Sequence, residues 1–281
     1  TVTNVGAGPS HLGAPADPAE GTIGLESGAA LLFRGTASQD TDRPIQLRGT
    51  GTTWTLSNLD SSGGASITYR GPISGNVAGA AGQRTLNLAA NNWASCPLIV
   101  SGVIADPSPS NSLRVHCVGG GGVGYNTGAA RLLCASNTFS GPVTTTFGCY
   151  LQVARLALKG EPSSLGTGLS NNTVTVGASG SSYTAEMGYV GSEPATTDRQ
   201  VLFGGGSAAL ANNSPTHVPL RFIGTNSWTG GANVTLGGTA MATNEIAAPI
   251  FLSGNLYVGT EGAWMLTGSN TFQRPIFISK G

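Results

Sequence analysis

The chain is poor in charge. Only 9% of its 281 residues are charged, the formal net charge is zero, and Lys159 and Lys280 are its only lysines. Nucleic acid and anionic lipid attract clustered positive charge, so neither is an expected partner. Apolar runs of about 18 residues are missing, so no membrane-spanning helix is expected. Helical periodicity is missing as well. The best stretch, Asn87 to Trp93, is too short and too rich in asparagine to hold a helix. Histidine is scarce, and His11, His116 and His217 stand far apart, in no zinc-like spacing. No metal or other cofactor is expected, and calcium-binding repeats rich in Gly and Asp are absent.

What is present is glycine, 44 residues of it, and 39% apolar residues arranged in short runs. Trp54-Thr55-Leu56, Leu113-Arg114-Val115, Thr173-Val174-Thr175-Val176 and Leu256-Tyr257-Val258 are examples. Most alternate apolar with polar and are bounded by Gly, Asn, Asp or Pro, as half-buried strands are. The expected class is all-β. The length would allow two globular domains, but no linker-like stretch divides the chain, so a single unit spans 1–281.

One motif occurs twice. Leu133 to Pro142 reads LCASNTFSGP and Leu266 to Pro275 reads LTGSNTFQRP, sharing Asn137-Thr138-Phe139 and Asn270-Thr271-Phe272. Earlier landmarks return in the same order. Thr41-Asp42-Arg43 reappears as Thr197-Asp198-Arg199, and His11-Leu12-Gly13 is echoed by Ser164-Leu165-Gly166. The spacing drifts from roughly 156 to roughly 133 residues, which implies two degenerate repeats, about 1–148 and 149–281, with irregular loop insertions on a shared scaffold. One insertion is the glycine-rich run from Gly119 to Gly128, read as a protruding loop. Asparagines recur beside the apolar runs, at Asn58, Asn92, Asn137, Asn212, Asn244 and Asn270. In a stacked solenoid they could form amide ladders; otherwise they tolerate left-handed turn geometry. At roughly 20–28 residues per turn the chain supplies about ten to fourteen turns and some 50–65 Å of axial length.

The run from Gly262 through Asn270-Thr271-Phe272, followed by Pro275-Ile276-Phe277-Ile278 and Gly281, resembles the autotransporter-associated β-strand repeat, also called the passenger-associated transport repeat. The stretch from Thr41 to Gly71-Pro72-Ile73-Ser74-Gly75 is similar to the longer units around it. The resemblance implies a right-handed parallel β-helix in a secreted bacterial protein, extracellular or on the cell surface. It implies little about activity. Within these 281 residues no outer-membrane barrel is expected, and Gln273-Arg274-Pro275 replaces the Ser140-Gly141-Pro142 turn of the first copy.

The termini suggest self-assembly. The sequence after Gly281 is missing a continuation that resembles Thr1-Val2-Thr3, and no capping helix is evident at either end. Open β-helix ends invite another strand. The reading is a structural fibre subunit, stacking head to tail through Thr1, Val2, Thr3, Ile276, Phe277, Ile278 and Gly281, or else one segment of a giant repetitive chain. The start at Thr1 fits processing from a longer precursor. A second reading is an adhesin passenger whose loops bind glycan or protein; the tryptophans Trp54, Trp93, Trp228 and Trp264 could stack on sugars or belong to the core. A third is a polysaccharide-active enzyme. Asp40 and Asp42 are the only close Asp pair, and recurrence of Asp-Arg at Asp198-Arg199 favours a turn or rung ion pair over catalysis. The cysteines Cys96, Cys117, Cys134 and Cys149 are spaced near one turn apart. Disulfides Cys96–Cys117 and Cys134–Cys149 are the first pairing to test, against four buried thiols.

Overall fold

A computed structural model of the chain describes residues 12–59, 64–75, 77, 80–90, 97–119, 128–146, 148–178, 184–231 and 233–280. One helical turn, Pro18–Gly21, precedes a right-handed parallel β-helix whose strands visit three faces in turn at both ends and two faces in the middle. Sheet I holds ten strands, from Ala30–Phe33 to Thr271–Phe272, and sheet II ten, from Gln39–Thr41 to Ile276–Lys280. The third face has Ile23–Leu25, Ile45–Leu47 and Ile73–Gly75 at one end. At the other end it has Ala195–Thr197, Leu220–Phe222, Thr243–Ile246 and Ala263–Leu266. Each strand pairs in parallel with its counterpart one turn on. Among the described residues ten turns at about 4.8 Å each give about 45 Å: the count meets the lower end of the sequence expectation, and the length falls just short of its range. Turn length falls along the chain: Thr53 pairs with Thr85, 32 residues on, but Phe251 with Thr271, 20 on.

The interior follows from alternation. Along Asn111–Gly119 every second residue is buried, and Leu113, Val115 and Cys117 point inward. Register then stacks like on like. Trp54, Leu86, Val115, Val143, Val174 and Val201 form one interior column across sheet I, each fully buried. Burying each such aliphatic side chain contributes about 1.5–3 kcal/mol. This column holds the molecule together along its axis, because each member covers the next.

Prolines mark where strands begin. Pro44, Pro72, Pro97, Pro142, Pro219, Pro249 and Pro275 each stand immediately before a strand, and each carbonyl accepts the N–H of a residue one turn back. Ile45 N donates to Pro72 O at 2.8 Å, and Trp228 N to Pro249 O at 2.7 Å. Proline has no N–H to offer a ladder but a full acceptor, so the position before the first paired residue suits it. Glycine serves the corners. A Cβ on Gly102 would strike the carbonyl oxygen of Gly71, one turn below, and a Cβ on Gly71 would strike those of Asp42 and Arg43.

The sequence repeats fall at a fixed structural offset. Thr41 ends a sheet II strand of the first turn, counted by the strands of sheet I, whereas Thr197 ends a third-face strand of the seventh. Asn137 lies at the third face of the fifth turn and Asn270 at the sheet I strand of the tenth. Both pairs stand five turns and one face apart. The drift in residue spacing therefore hides a constant count of strand positions, with the second copy turned by one face.

Candidate functional site

The corners carry the buried polar chemistry. Arg43 donates from Nη1 to Leu12 O (2.7 Å) and from Nη2 to Gly13 O (2.9 Å). Arg199 donates from Nη2 to Leu165 O (2.8 Å) and Gly166 O (2.7 Å). In each case the arginine N–H also reaches the threonine hydroxyl two residues before it, at 3.3 Å. The two repeated landmarks are thus the halves of one clamp that spans a turn. Arg199 is 1% exposed, and burial pulls its pKa down to about 10, against the opposing pull of Asp198. The expected Asp-Arg ion pair is corrected for the second copy: the guanidinium goes to carbonyls, while the Asp198 carboxylate accepts the Lys159 N–H at 2.8 Å. In the first copy Asp40, just upstream, forms an ion pair across one turn with Arg70.

Asparagine acts on the adjoining turn. Asn137 Oδ1 accepts from Ile104 N (2.8 Å), Asn244 Oδ1 from Leu220 N (3.1 Å), and Asn270 Oδ1 from Ile250 N (3.1 Å). A side-chain ladder step exists at Asn212, whose Nδ2 donates to Asn244 Oδ1 at 2.6 Å. The remaining ties run to backbone, as from Asn58 to Ala65 O. Asn137-Thr138-Phe139 sits on the third face with Phe139 in the core, whereas Asn270-Thr271-Phe272 leads into sheet I with Phe272 half-buried.

The third face is interrupted in the middle turns. Ile104 bridges singly to Ile73, and residues 133–142 and 154–172 cross the face as loops. A cavity of about 640 Å³ opens there, lined among others by Arg155, Leu158, Glu161, Tyr189, Glu193 and Thr196. Arg155, Glu161 and Glu193 are exposed on its rim, and the Tyr189 hydroxyl donates to Glu193 O. The arrangement offers two carboxylates and one guanidinium over a floor of small aliphatic side chains. Its size matches small-ligand and peptide pockets.

The remaining expectations sort as follows. Thr1, Val2, Thr3, Gly281, Cys96, His11, Asn92 and Trp93 lie outside the described residues, as does the 120–127 part of the glycine-rich run. Ile276, Phe277 and Ile278 lie on the last strand and are 47%, 47% and 83% exposed. Cys117, Cys134 and Cys149 are free thiols, so the pairing of Cys134 with Cys149 is absent. Cys149 turns into the core instead and hydrogen-bonds Cys117, which together with burial raises the Cys117 thiol pKa well above its usual value. Trp54 and Trp228 are core residues, and Trp264 leans on the core with its indole N–H on Gly237 O, so none of these three offers a free sugar platform. His116 bridges sheet I on its outer side, with Nδ1 on Asn87 Oδ1 (3.1 Å) and Nε2 on Thr146 Oγ1 (3.0 Å). Among the described residues no three His, Cys, Asp or Glu side chains gather into a metal site, and no helix is long and apolar enough to cross a membrane.

No protein-family model matches the chain, and no solved structure matches it. Over 278 residues, 97% of its length, the chain is 30% identical to the adhesin BmaC autotransporter of Brucella suis biovar 1 (strain 1330), and it spans 7% of that protein. The similarity is to an adhesin rather than to an enzyme, and the β-helix agrees with a passenger-like segment.

Proposed function

We propose that the chain is a structural segment of a bacterial cell-surface adhesin, a β-helix stalk continued at its ends by further parallel turns. One observation carries the reading. Ile276 and Ile278 stand in register above Leu256 and Val258, on the side of the strand that faces the core, and yet they are exposed. They lack only the next turn to cover them. A parallel strand laid on Ile276–Lys280 would bury these side chains and satisfy the edge's free backbone groups. The similarity to an adhesin along nearly the whole chain supports a surface location and an adhesive role. In its finer form, separate copies stack head to tail into a filament, through the Thr1 side of one and the Gly281 side of the next.

The test uses the purified chain. Sedimentation and negative-stain microscopy are expected to show rods that lengthen with concentration in steps near 45 Å, and Ile278→Lys is expected to abolish the lengthening. Single stubby rods at every concentration would sink the stacking. Beads coated with the chain are expected to adhere to host cells or matrix; coated and bare beads behaving alike would sink the adhesin. A second reading, favoured by the cavity at the interrupted third face, assigns the adhesive contact to its rim, with Arg155, Glu161 and Glu193. Arg155→Ala and Glu193→Ala are expected to weaken bead adhesion without altering the rods.

A further inference from the structure

Thr229, Phe251 and Thr271 follow one another in register on the outward side of sheet I, in three successive turns. One residue further along, Leu252 turns inward, and two further along Ser253 and Gln273 stand at the corner. Between the two rows lies a hollow of about 220 Å³, lined by Thr229, Gly230, Phe251, Ser253, Thr271 and Gln273, with Leu252 beneath. No charged side chain lines it. Phe251 is 43% exposed. Ser253 Oγ touches Gly230 O at 3.5 Å, whereas the hydroxyls of Thr229 and Thr271 and the amide of Gln273 have no partner among the described residues.

Among the described residues exposed aromatic rings are few and clustered. Among the described residues the large exposed aromatics are Phe251, Tyr257 and Phe277, all within the last two turns. Tyr257 and Phe277 stack on sheet II with centroids 5.0 Å apart and planes 13° apart. An apolar ring ringed by uncharged donors and acceptors, in a site too small for most drug-sized ligands, suits a ligand with one apolar face and a polar rim. A pyranose is such a ligand. Its axial C–H groups lie flat on an aromatic face, and its equatorial hydroxyls reach sideways.

We propose that this hollow is a subsite for one uncharged pyranose residue of a surface glycan. The sugar's C–H face lies on the Phe251 ring. Its hydroxyls exchange hydrogen bonds with Thr229 Oγ1, Thr271 Oγ1 and the Gln273 amide, which both donates and accepts. Anionic sugars are disfavoured, because a carboxylate or sulfate would lose hydration with no cation to replace it. The assignment rests on the adhesin reading for its biological use, although its test does not.

The experiment titrates the whole 281-residue chain with neutral β-linked tetrasaccharides of glucose and of N-acetylglucosamine, and with a sialylated tetrasaccharide, by calorimetry and saturation-transfer NMR. Binding of a neutral probe is expected, with saturation on its ring C–H protons. Phe251→Ala is expected to weaken that binding about tenfold and Phe251→Trp to retain it. Gln273→Ala is expected to cost about fivefold. Because the ring stands outside the core, thermal unfolding of these variants is expected to match that of the parent. No binding of either neutral probe, preference for the sialylated one, or binding indifferent to Phe251→Ala overturns the subsite. Beads coated with the Phe251→Ala chain that adhere as well as the parent also overturn it as an adhesive contact, while leaving the adhesin reading in place.

Discussion

Arg199 shows what a buried cation does in a chain poor in charge. Its Nη2 alone holds two carbonyls of the 154–172 loop to the corner one turn on, and a lysine ammonium, a compact point charge, does not reproduce the planar guanidinium geometry. Arg199→Met leaves the Leu165 carbonyl without that donor and the Gly166 carbonyl with the Ser163 hydroxyl alone, so a loss of about 1–2 kcal/mol is expected in urea unfolding, with Arg199→Lys only partly restoring it. His116 is a different case. Burial, with Arg114 two residues away on the same outer side, holds its pKa down to about 4. The folded state therefore prefers the neutral ring. Above pH 6.5 both states are neutral and stability is full; as pH falls toward 4 the unfolded chain takes the proton first and stability declines. The unfolding midpoint is expected to drop between pH 6.5 and 4 by more in the parent than in His116→Asn, measured side by side so that carboxylate titration cancels. Both residues were visible in the sequence, Arg199 inside a repeated triplet. That its partner was the other repeated landmark could not be read, since contact over 34 residues depends on the length of a turn. Phe251 was hidden for another reason: within Ile250-Phe251-Leu252 alternation says that it faces outward, but not that its neighbours leave a hollow beside it.

At the scale of elements, the strands were legible because alternation is a local signal, and Leu113-Arg114-Val115 lies in a strand as its pattern requires. The prolines were equally visible, each ahead of an apolar residue, and the reason for them emerges only with the ladder that their carbonyls open. Corner glycines carry a heavier constraint. Gly102→Ala would drive a methyl group into the Gly71 carbonyl, so a loss of about 1–3 kcal/mol is expected in chemical unfolding. Gly64→Ala, where a Cβ meets nothing, is expected to be neutral and serves as the control. The Asn-Thr-Phe segments looked like equivalent rung positions because a sequence match aligns residues. The structure aligns strand positions, and turns of unequal length separate the two measures. The cysteine pairing failed for the same reason: near-equal spacing suggested neighbours, but Cys149 faces inward at a corner where Cys117 already points.

For the whole molecule, axial stacking makes stability a matter of neighbours. A turn in the middle is covered on both sides, and the last is covered on one. Burial follows suit: the Asn111–Gly119 strand alternates between buried and half-buried residues, whereas Ala263–Leu266 alternates between half-buried and exposed. Hydrogen exchange read by mass spectrometry is therefore expected to label 263–280 well before 111–119, and the difference is expected to shrink when copies stack. Uniform protection along the axis would contradict this.

The offset of five turns and one face has a geometric meaning of its own. Whatever is carried forward with it moves about 25 Å along the axis and swings through a third of a revolution. Three such steps return a feature to its original bearing. A long stalk built on this step would bear its inherited features in a spiral, like bristles round a bottle brush, and would meet a surface with the same chemistry whichever way it rolled.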